Sequence, residues 1–436
     1  MGDNMLATAA IGAVVFLGFS LLWAFPAEKR QSILAFAIGA SAGLIAAQVV
    51  QVHLFTIMVV VWALLGQRTS LTWTPREVVM VLSAAVLLAS TALYGELVNS
   101  PTLGLQLIAL AISASLIVIY GSKFSVTRML YGLLAVTSAA SFWALLQVVG
   151  LAPNDAWHLD VSALGRPTGF YPEPDWLGMF SGIGITLAWR LPLTRGLRII
   201  LIVANLSVWI LAFARAAWVA VVAAAALAFV VHLIRESRTA GNEPKRARSG
   251  RVAALAIAAA AGTIAFYAIP SLHSDVLNRL SRTLVARADD VSAQARVQQN
   301  EGLFHLAATA PWNGWGISSS GRVGVSGILN LSGDARNNVG SNWIVSMWVD
   351  GAWLALPVIA VLLLAAILSV RTIQSQLLVL TLLSSIFSNA TFQPITWLLV
   401  GACLWYLRDK REAKALTRLN LAQFEAAKLK TFDGVH

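Results

Sequence analysis

The sequence predicts an all-α integral membrane protein with about 12–13 transmembrane helices. Three observations predict it. Hydrophobic residues fill 58% of the 436 positions and charged ones only 12%, with a mean hydropathy of +0.74; a soluble domain carries roughly twice that charged fraction. Apolar runs near the roughly 20 residues that a bilayer demands recur along the chain. All seven lysines fall outside the two longest stretches between those runs.

The clearest runs are Leu6–Ala24, Val78–Tyr94, Leu105–Tyr120, Leu130–Val149, Ala216–Leu233, Val252–Pro270 and Leu354–Val370, with shorter ones between them. Only Asp3 is charged ahead of the first run, which therefore reads as a retained helix rather than a cleaved signal. Residues 31–66 hold either two short helices or one span and a re-entrant piece, which leaves the helix count between two values. The net charge of +11 fits the positive-inside rule better than nucleic-acid binding. Lys29, Lys123, Lys245, Lys410, Lys414, Lys428 and Lys430 mark short turns or the tail on one side, and place the tail from Arg408 in the cytoplasm.

The chain then divides into N-terminal helices (1–148), a first outer loop (149–176), central helices (177–269) with a flexible basic linker at 235–251, a second outer loop (270–343), C-terminal helices (344–407) and a basic cytoplasmic tail (408–436). No internal repeat is evident. The single cysteine, Cys403, forms no intrachain disulfide. No His/Cys/Asp grouping has metal-ligand spacing, and no glycine-rich phosphate loop opens a helix. No metal, cofactor or nucleic-acid partner is expected.

The chemistry concentrates in the two outer loops. The first holds Asp155, His158, Asp160, Arg166, Glu173 and Asp175. Its Gly165–Gly169 run forms a constrained turn, extended by Pro172 and Pro174. Irregular backbone at membrane depth is tolerated where it lines a cavity. The plainer reading is an interfacial loop anchored by Trp157 and Trp176. Arg215 lies between two apolar stretches, a costly place unless it meets the interface or a polar cavity. It either snorkels or forms an anion site just below the outer surface.

The second loop carries six arginines (Arg279, Arg282, Arg287, Arg296, Arg322, Arg336) and no lysine. A guanidinium grips phosphate oxygens as a fork, whereas lysine offers a point charge. Asp275, Asp289, Asp290, Glu301 and Asp334 compete as salt-bridge partners. Ala293–Ala307 reads as an amphipathic helix with Arg296 and Asn300 on one face. Pro311–Gly316 is a turn, followed by a Gly/Ser-rich stretch to Gly340. Asp350, near the outer end of a span, caps, pairs with an arginine or joins the chemistry. His53 and His232 sit at span ends and read as interfacial.

In order along the chain, these residues resemble the O-antigen ligase and Wzy-type O-antigen polymerase superfamily over roughly residues 130–405. The upstream pattern R-x-x-G-x-x-x-(E/N)-P is matched by Arg166, Gly169, Glu173 and Pro174. Ala214–Arg215 stands where the family has Ser-Arg at a helix start. Arg296, a helix and a P-x-x-G-x-G turn (Pro311, Gly314, Gly316) follow. Ser341–Asn342 then enters a helix that ends at Asp350–Gly351. The resemblance implies a GT-C-like fold that transfers a glycan from undecaprenyl diphosphate to an acceptor glycan or glycolipid hydroxyl. It places this at the outer face of the bacterial inner membrane, among membrane lipids, without a metal and with inversion at the anomeric carbon. It assigns Arg215 and Arg296 to the diphosphate, with Arg166 and Arg336 as further candidates.

One position departs from the pattern: the family's loop histidine is Ser341 here, and a serine of ordinary pKa is no general base. Glu173 is the preferred replacement, with Asp175, Asp334 and His305 as alternatives; Glu173 as a structural partner of Arg166 is the competing reading. The Glu173–Pro174 pair tilts the choice toward polymerase over ligase, by analogy alone. A lipid-linked oligosaccharide flippase is the alternative from another class. Such transporters show paired repeats with broken helices at mid-membrane; no repeat is visible here, and polar residues inside the spans are scarce.

Overall fold

The computed structural model describes residues 25–49, 51–65, 75–153, 165–239, 274, 291–324, 326–331 and 338–432. Among these residues the chain is mostly helix, with one hairpin of two-residue strands, β1 (Gln48–Val49) against β2 (Val52–His53), and one isolated bridge. Four helical segments are long and apolar enough to cross a membrane: Arg76–Tyr94, Pro101–Tyr120, Lys123–Val148 and Trp343–Leu368. Leu54–Leu65, Arg215–Val231 and Ile373–Ser388 are shorter apolar helices. The expected spans Leu6–Ala24 and Val252–Pro270 lie outside the described residues.

The open question at residues 31–66 resolves into two short helices, α1 (Ala27–Gly43) and α2 (Leu54–Leu65), joined by the hairpin. Gln51 closes that hairpin with a φ of 64°, and its carbonyl accepts from Gln106 Nε2 at 2.8 Å. Next come α3 (Arg76–Tyr94), α4 (Pro101–Tyr120, with proline in its first turn) and α5 (Lys123–Val148). A reciprocal Ser122/Ser125 capping box starts α5. α1 lies directly on α5. A Cβ at Gly39 would stand 1.7 Å from the Met129 carbonyl oxygen, and one at Gly132 1.8 Å from that of Phe36. Small residues let two backbones touch where lipid supplies no hydrophobic drive between helices.

The central group is α6 (Pro174–Arg190), α7 (Arg195–Leu211) and α8 (Arg215–Thr239). Fully buried Asn205 of α7 ties it together. Its Oδ1 accepts from Ser141 Oγ of α5 at 2.9 Å, its Nδ2 donates to Ser138 Oγ at 3.1 Å, and Ser141 meets Ser181 of α6 at 3.2 Å. The helix expected over Ala293–Ala307 of the second loop is α9 (Val291–Ala308), without the marked amphipathic character expected of it. It is followed by α10 (Trp343–Gly351), α11 (Leu356–Leu368), α12 (Ile373–Ser388) and α13 (Pro394–Phe432).

The P-x-x-G-x-G turn wedges between α10 and the end of α3. Trp315 N–H donates to Val349 O, Gly316 N–H to Asp350 O, and Leu97 N–H to Trp315 O, all within 3.0 Å. Gly314 and Gly316 take φ values of 76° and 105°, and a Cβ on either would come within 2.5 Å of a neighbouring atom. Both glycines are therefore required by packing.

Candidate functional site

The site starts from the C-terminal end of α5. Gln147 Oε1 accepts from the backbone N–H groups of Thr168 (3.1 Å) and Gly169 (2.9 Å), and its Nε2 donates to Pro153 O at 3.0 Å. One side chain thus holds both described ends of the first loop. Tyr171 anchors the next stretch. Its buried ring stacks on Phe180 of α6 at 4.5 Å, and burial pushes its hydroxyl pKa up. The loop then delivers Arg166, Glu173 and Asp175 to one place.

Asp175, in the first turn of α6, takes a hydrogen bond on each oxygen. Arg166 donates to Oδ1 at 2.8 Å and Arg296 of α9 donates to Oδ2. Arg166 is 7% exposed, and its Nε donates to Ala212 O at 2.8 Å, so it braces the loop against the corner between α7 and α8. Arg296 is 32% exposed, and among the described residues Asp175 is its one hydrogen-bond partner. Burial opposes the charge on Asp175, but Arg296 and then Arg166 outweigh it and hold the carboxyl below the usual carboxylate range. Glu173, immediately before α6, behaves oppositely. Loss of solvent and the Asp175 charge push it up, and the two arginines only partly offset this. The residue is exposed and lines the cavity. Two carboxyls two residues apart are therefore driven in opposite directions, the pattern that separates a fixed anion from a proton acceptor.

These groups wall a cavity of about 430 Å³. Gln299 of α9 lines it, as do Gly340 and Ser341 before α10 and Asn389 and Gln393 after α12. Asn389 adopts the left-handed conformation (φ 46°) that ends α12, and its Nδ2 donates to Gly340 O at 2.8 Å. The turn after α12 is thereby locked to the segment carrying Ser341. Among the described residues, Gln393 Oε1 is buried without a hydrogen-bond partner, so this wall presents an acceptor that they leave unsatisfied.

The other residues singled out in the sequence fall elsewhere. Arg215 opens α8, three residues after the carbonyl that Arg166 holds. Phe213 precedes it with a φ of 50°, packed on Trp218, whose Nε1 donates to Trp209 O at 2.8 Å. A helix N-terminus and an arginine at one corner suit an anion. Asp350 is fully buried and accepts from Ser318 N–H (3.1 Å), Ser319 Oγ (3.0 Å) and Ser320 N–H (2.8 Å), which fixes the Gly/Ser stretch. Asn342 caps α10 through Ile344 and Val345 N–H. Arg322 donates to four carbonyls, among them Leu97 and Val98 at 2.8 Å. His305 is exposed on α9 and does not line the cavity. His53, between α1 and α2, is buried, and burial lowers its pKa to about 4. Asp334 and Arg336 lie outside the described residues. Gln147, Asn389 and Gln393 escaped the sequence reading. A polar residue in the last turn of an apolar helix was the available signal for the first; an Asn ahead of an x-x-x-Q-P turn is too common to single out the others.

The O-antigen ligase family model matches residues 199–350, a segment that runs from α7 through Arg215 and Arg296 to Asp350, consistent with the O-antigen ligase/polymerase superfamily. No curated protein matches the chain. The first loop lies ahead of the matched segment, so Arg166, Glu173 and Asp175 enter the site through their geometry with Arg296.

Proposed function

We propose that this chain is a membrane glycosyltransferase of the O-antigen ligase or polymerase type, using a glycan carried on undecaprenyl diphosphate. Its site faces the outside of the bacterial cytoplasmic membrane, and its basic tail lies in the cytoplasm. The observation that carries the reading is the Arg166–Asp175–Arg296 cluster on the cavity wall, with Glu173 beside it. Asp175 is a positioning residue. It takes one N–H from Arg296 and leaves the rest of that guanidinium for a phosphate oxygen. Arg166, committed to Ala212 and Asp175, holds Asp175 in place. Arg215, outside the cavity lining but at the α7–α8 corner that Arg166 braces, is assigned as the second cation for the diphosphate.

In the proposed step, the acceptor oxygen forms a bond to the anomeric carbon while the bond from that carbon to the diphosphate oxygen breaks. The electron pair leaves with the diphosphate, where Arg296 and Arg215 stabilise the growing charge without a metal on this reading. The acceptor proton passes to Glu173, whose raised pKa suits a general base. Attack opposite the leaving group inverts the anomeric centre. Ser341 lines the same cavity and there orients a hydroxyl.

Incubation of the purified chain with undecaprenyl-diphosphate glycan, followed by mass analysis, tests the reading. Growth on the same lipid identifies a polymerase, and transfer to a second lipid a ligase. Movement of the lipid-linked glycan across liposomes with its covalent structure unchanged identifies a flippase and overturns the proposal.

A further inference from the structure

A second cavity, of about 540 Å³, lies at the opposite end of α5 from the first outer loop. That helix has 26 residues, so about 39 Å separate its two ends. The cavity forms where the start of α1, the ends of α2 and α4 and the start of α5 meet. Its position is the lysine-bearing side, with exposed Lys29 and Lys123 next to lining residues.

Among the described residues, two donors on its walls lack acceptors and one carboxylate lacks an ion pair. Trp62 is 3% exposed, and its indole N–H has no acceptor among them. The side-chain NH₂ of Gln31 is likewise buried and unpartnered among them. Glu28 lines the cavity and makes no ion pair among the described residues. Two donors thus await oxygen acceptors, and one carboxylate awaits a cation. The remaining walls combine two aromatic rings, Tyr120 and Phe124, with Ala27, Leu65, Ser122 and Ser125. Tyr120 meets Trp62 edge to face at 6.5 Å, and Phe124 is 56% exposed at the mouth. Aromatic rings of this kind sit at the level of lipid head groups.

We infer that this cavity binds a phospholipid whose head group carries a primary ammonium, as phosphatidylethanolamine does. The ammonium meets the Glu28 carboxylate. Phosphate or ester oxygens accept from Trp62 Nε1 and Gln31 Nε2, and the glycerol and upper acyl carbons cover Phe124 and Tyr120. Lys29 and Lys123 add attraction for the phosphate. A head group without an ammonium leaves Glu28 facing a phosphate. A quaternary ammonium cannot donate a hydrogen bond to it.

The full-length chain, stripped of lipid in neutral detergent, is offered equal amounts of phosphatidylethanolamine, phosphatidylglycerol and phosphatidylcholine, and retained lipid is measured by native mass spectrometry. Phosphatidylethanolamine is retained about fivefold over either competitor. Glu28→Gln, at an exposed position, lowers that preference below about twofold while total retained lipid persists. Trp62→Phe combined with Gln31→Leu lowers retained phosphatidylethanolamine about threefold or more. Equal retention of phosphatidylglycerol by the native chain overturns the inference, as does an undiminished preference in Glu28→Gln. If the double variant does not fold, the Glu28→Gln result decides alone.

Discussion

The two loops that meet at the cavity use their charged groups in opposite ways. In the described part of the first loop, Arg166, Glu173 and Asp175 all line the cavity. In the described part of the second, most of the motif residues hold the fold. Asp350 gathers three donors from Ser318–Ser320, Asn342 caps a helix, Arg322 ties down four carbonyls, and the two glycines admit a close backbone approach. Only Arg296 and Ser341 from that set reach the cavity. Residues in one motif thus divide into site and scaffold, and the division follows from where each hydrogen bond goes.

That contrast is sharpest at Glu173. If Glu173 is the base, as proposed, Glu173→Gln removes the proton acceptor but keeps size and hydrogen bonding, so transfer should fall about 10³-fold with donor binding retained. The pH profile supplies a second readout. The Glu173 pKa is raised, so the native rate should climb with pH through a limb that lies above the ordinary carboxylate range. That limb should be absent in the variant. A profile unchanged by Glu173→Gln would assign the base elsewhere and leave Glu173 a structural partner of the arginines.

Arg296 comes next, as the second-loop residue that behaves like the first loop. Arg296→Ala should cost about 10²-fold in transfer, the usual loss when one preorganised charge is removed from a transition state. Arg296→Lys keeps the charge without the fork and should recover only part of it. Full activity in both variants, measured on the same lipid-linked donor, would break the diphosphate assignment.

Asp350 tests the scaffold half of the comparison. Asp350→Asn places an NH₂ against at least one of the three donors and should lower stability by about 2 kcal/mol. The expected signature is a lower midpoint of thermal unfolding in detergent, with transfer per folded molecule nearly unchanged. A selective loss of turnover at full stability would move Asp350 into the site.

The helices were legible because apolar runs of bilayer length leave few alternatives. Arg76–Tyr94, Pro101–Tyr120 and Lys123–Val148 each begin within seven residues of the run that foretold them. Arg296, Arg166 and Glu173 were legible through residue type and motif order. Their partners were not. Arg166 bonds a carbonyl 46 residues away, and Arg296 a carboxylate 121 residues away. No local pattern encodes such a pairing. Asp350 shows the same limit in reverse, since a buried carboxylate satisfied by a serine turn reads in sequence like a catalytic one.

His305 gives the smallest expected effect and the cleanest check on the division between site and scaffold. It and Arg296 share α9, nine residues apart. At roughly 100° per residue, nine residues carry a side chain to about the opposite face of the helix. Arg296 points to the cavity while His305 is exposed and lines none of it. A histidine so placed stands away from the proposed site. His305→Ala should therefore leave transfer within about twofold and stability within about 0.5 kcal/mol, as for a surface substitution. A loss of tenfold or more would require α9 to turn its other face inward during the reaction, and Arg296 would then release Asp175.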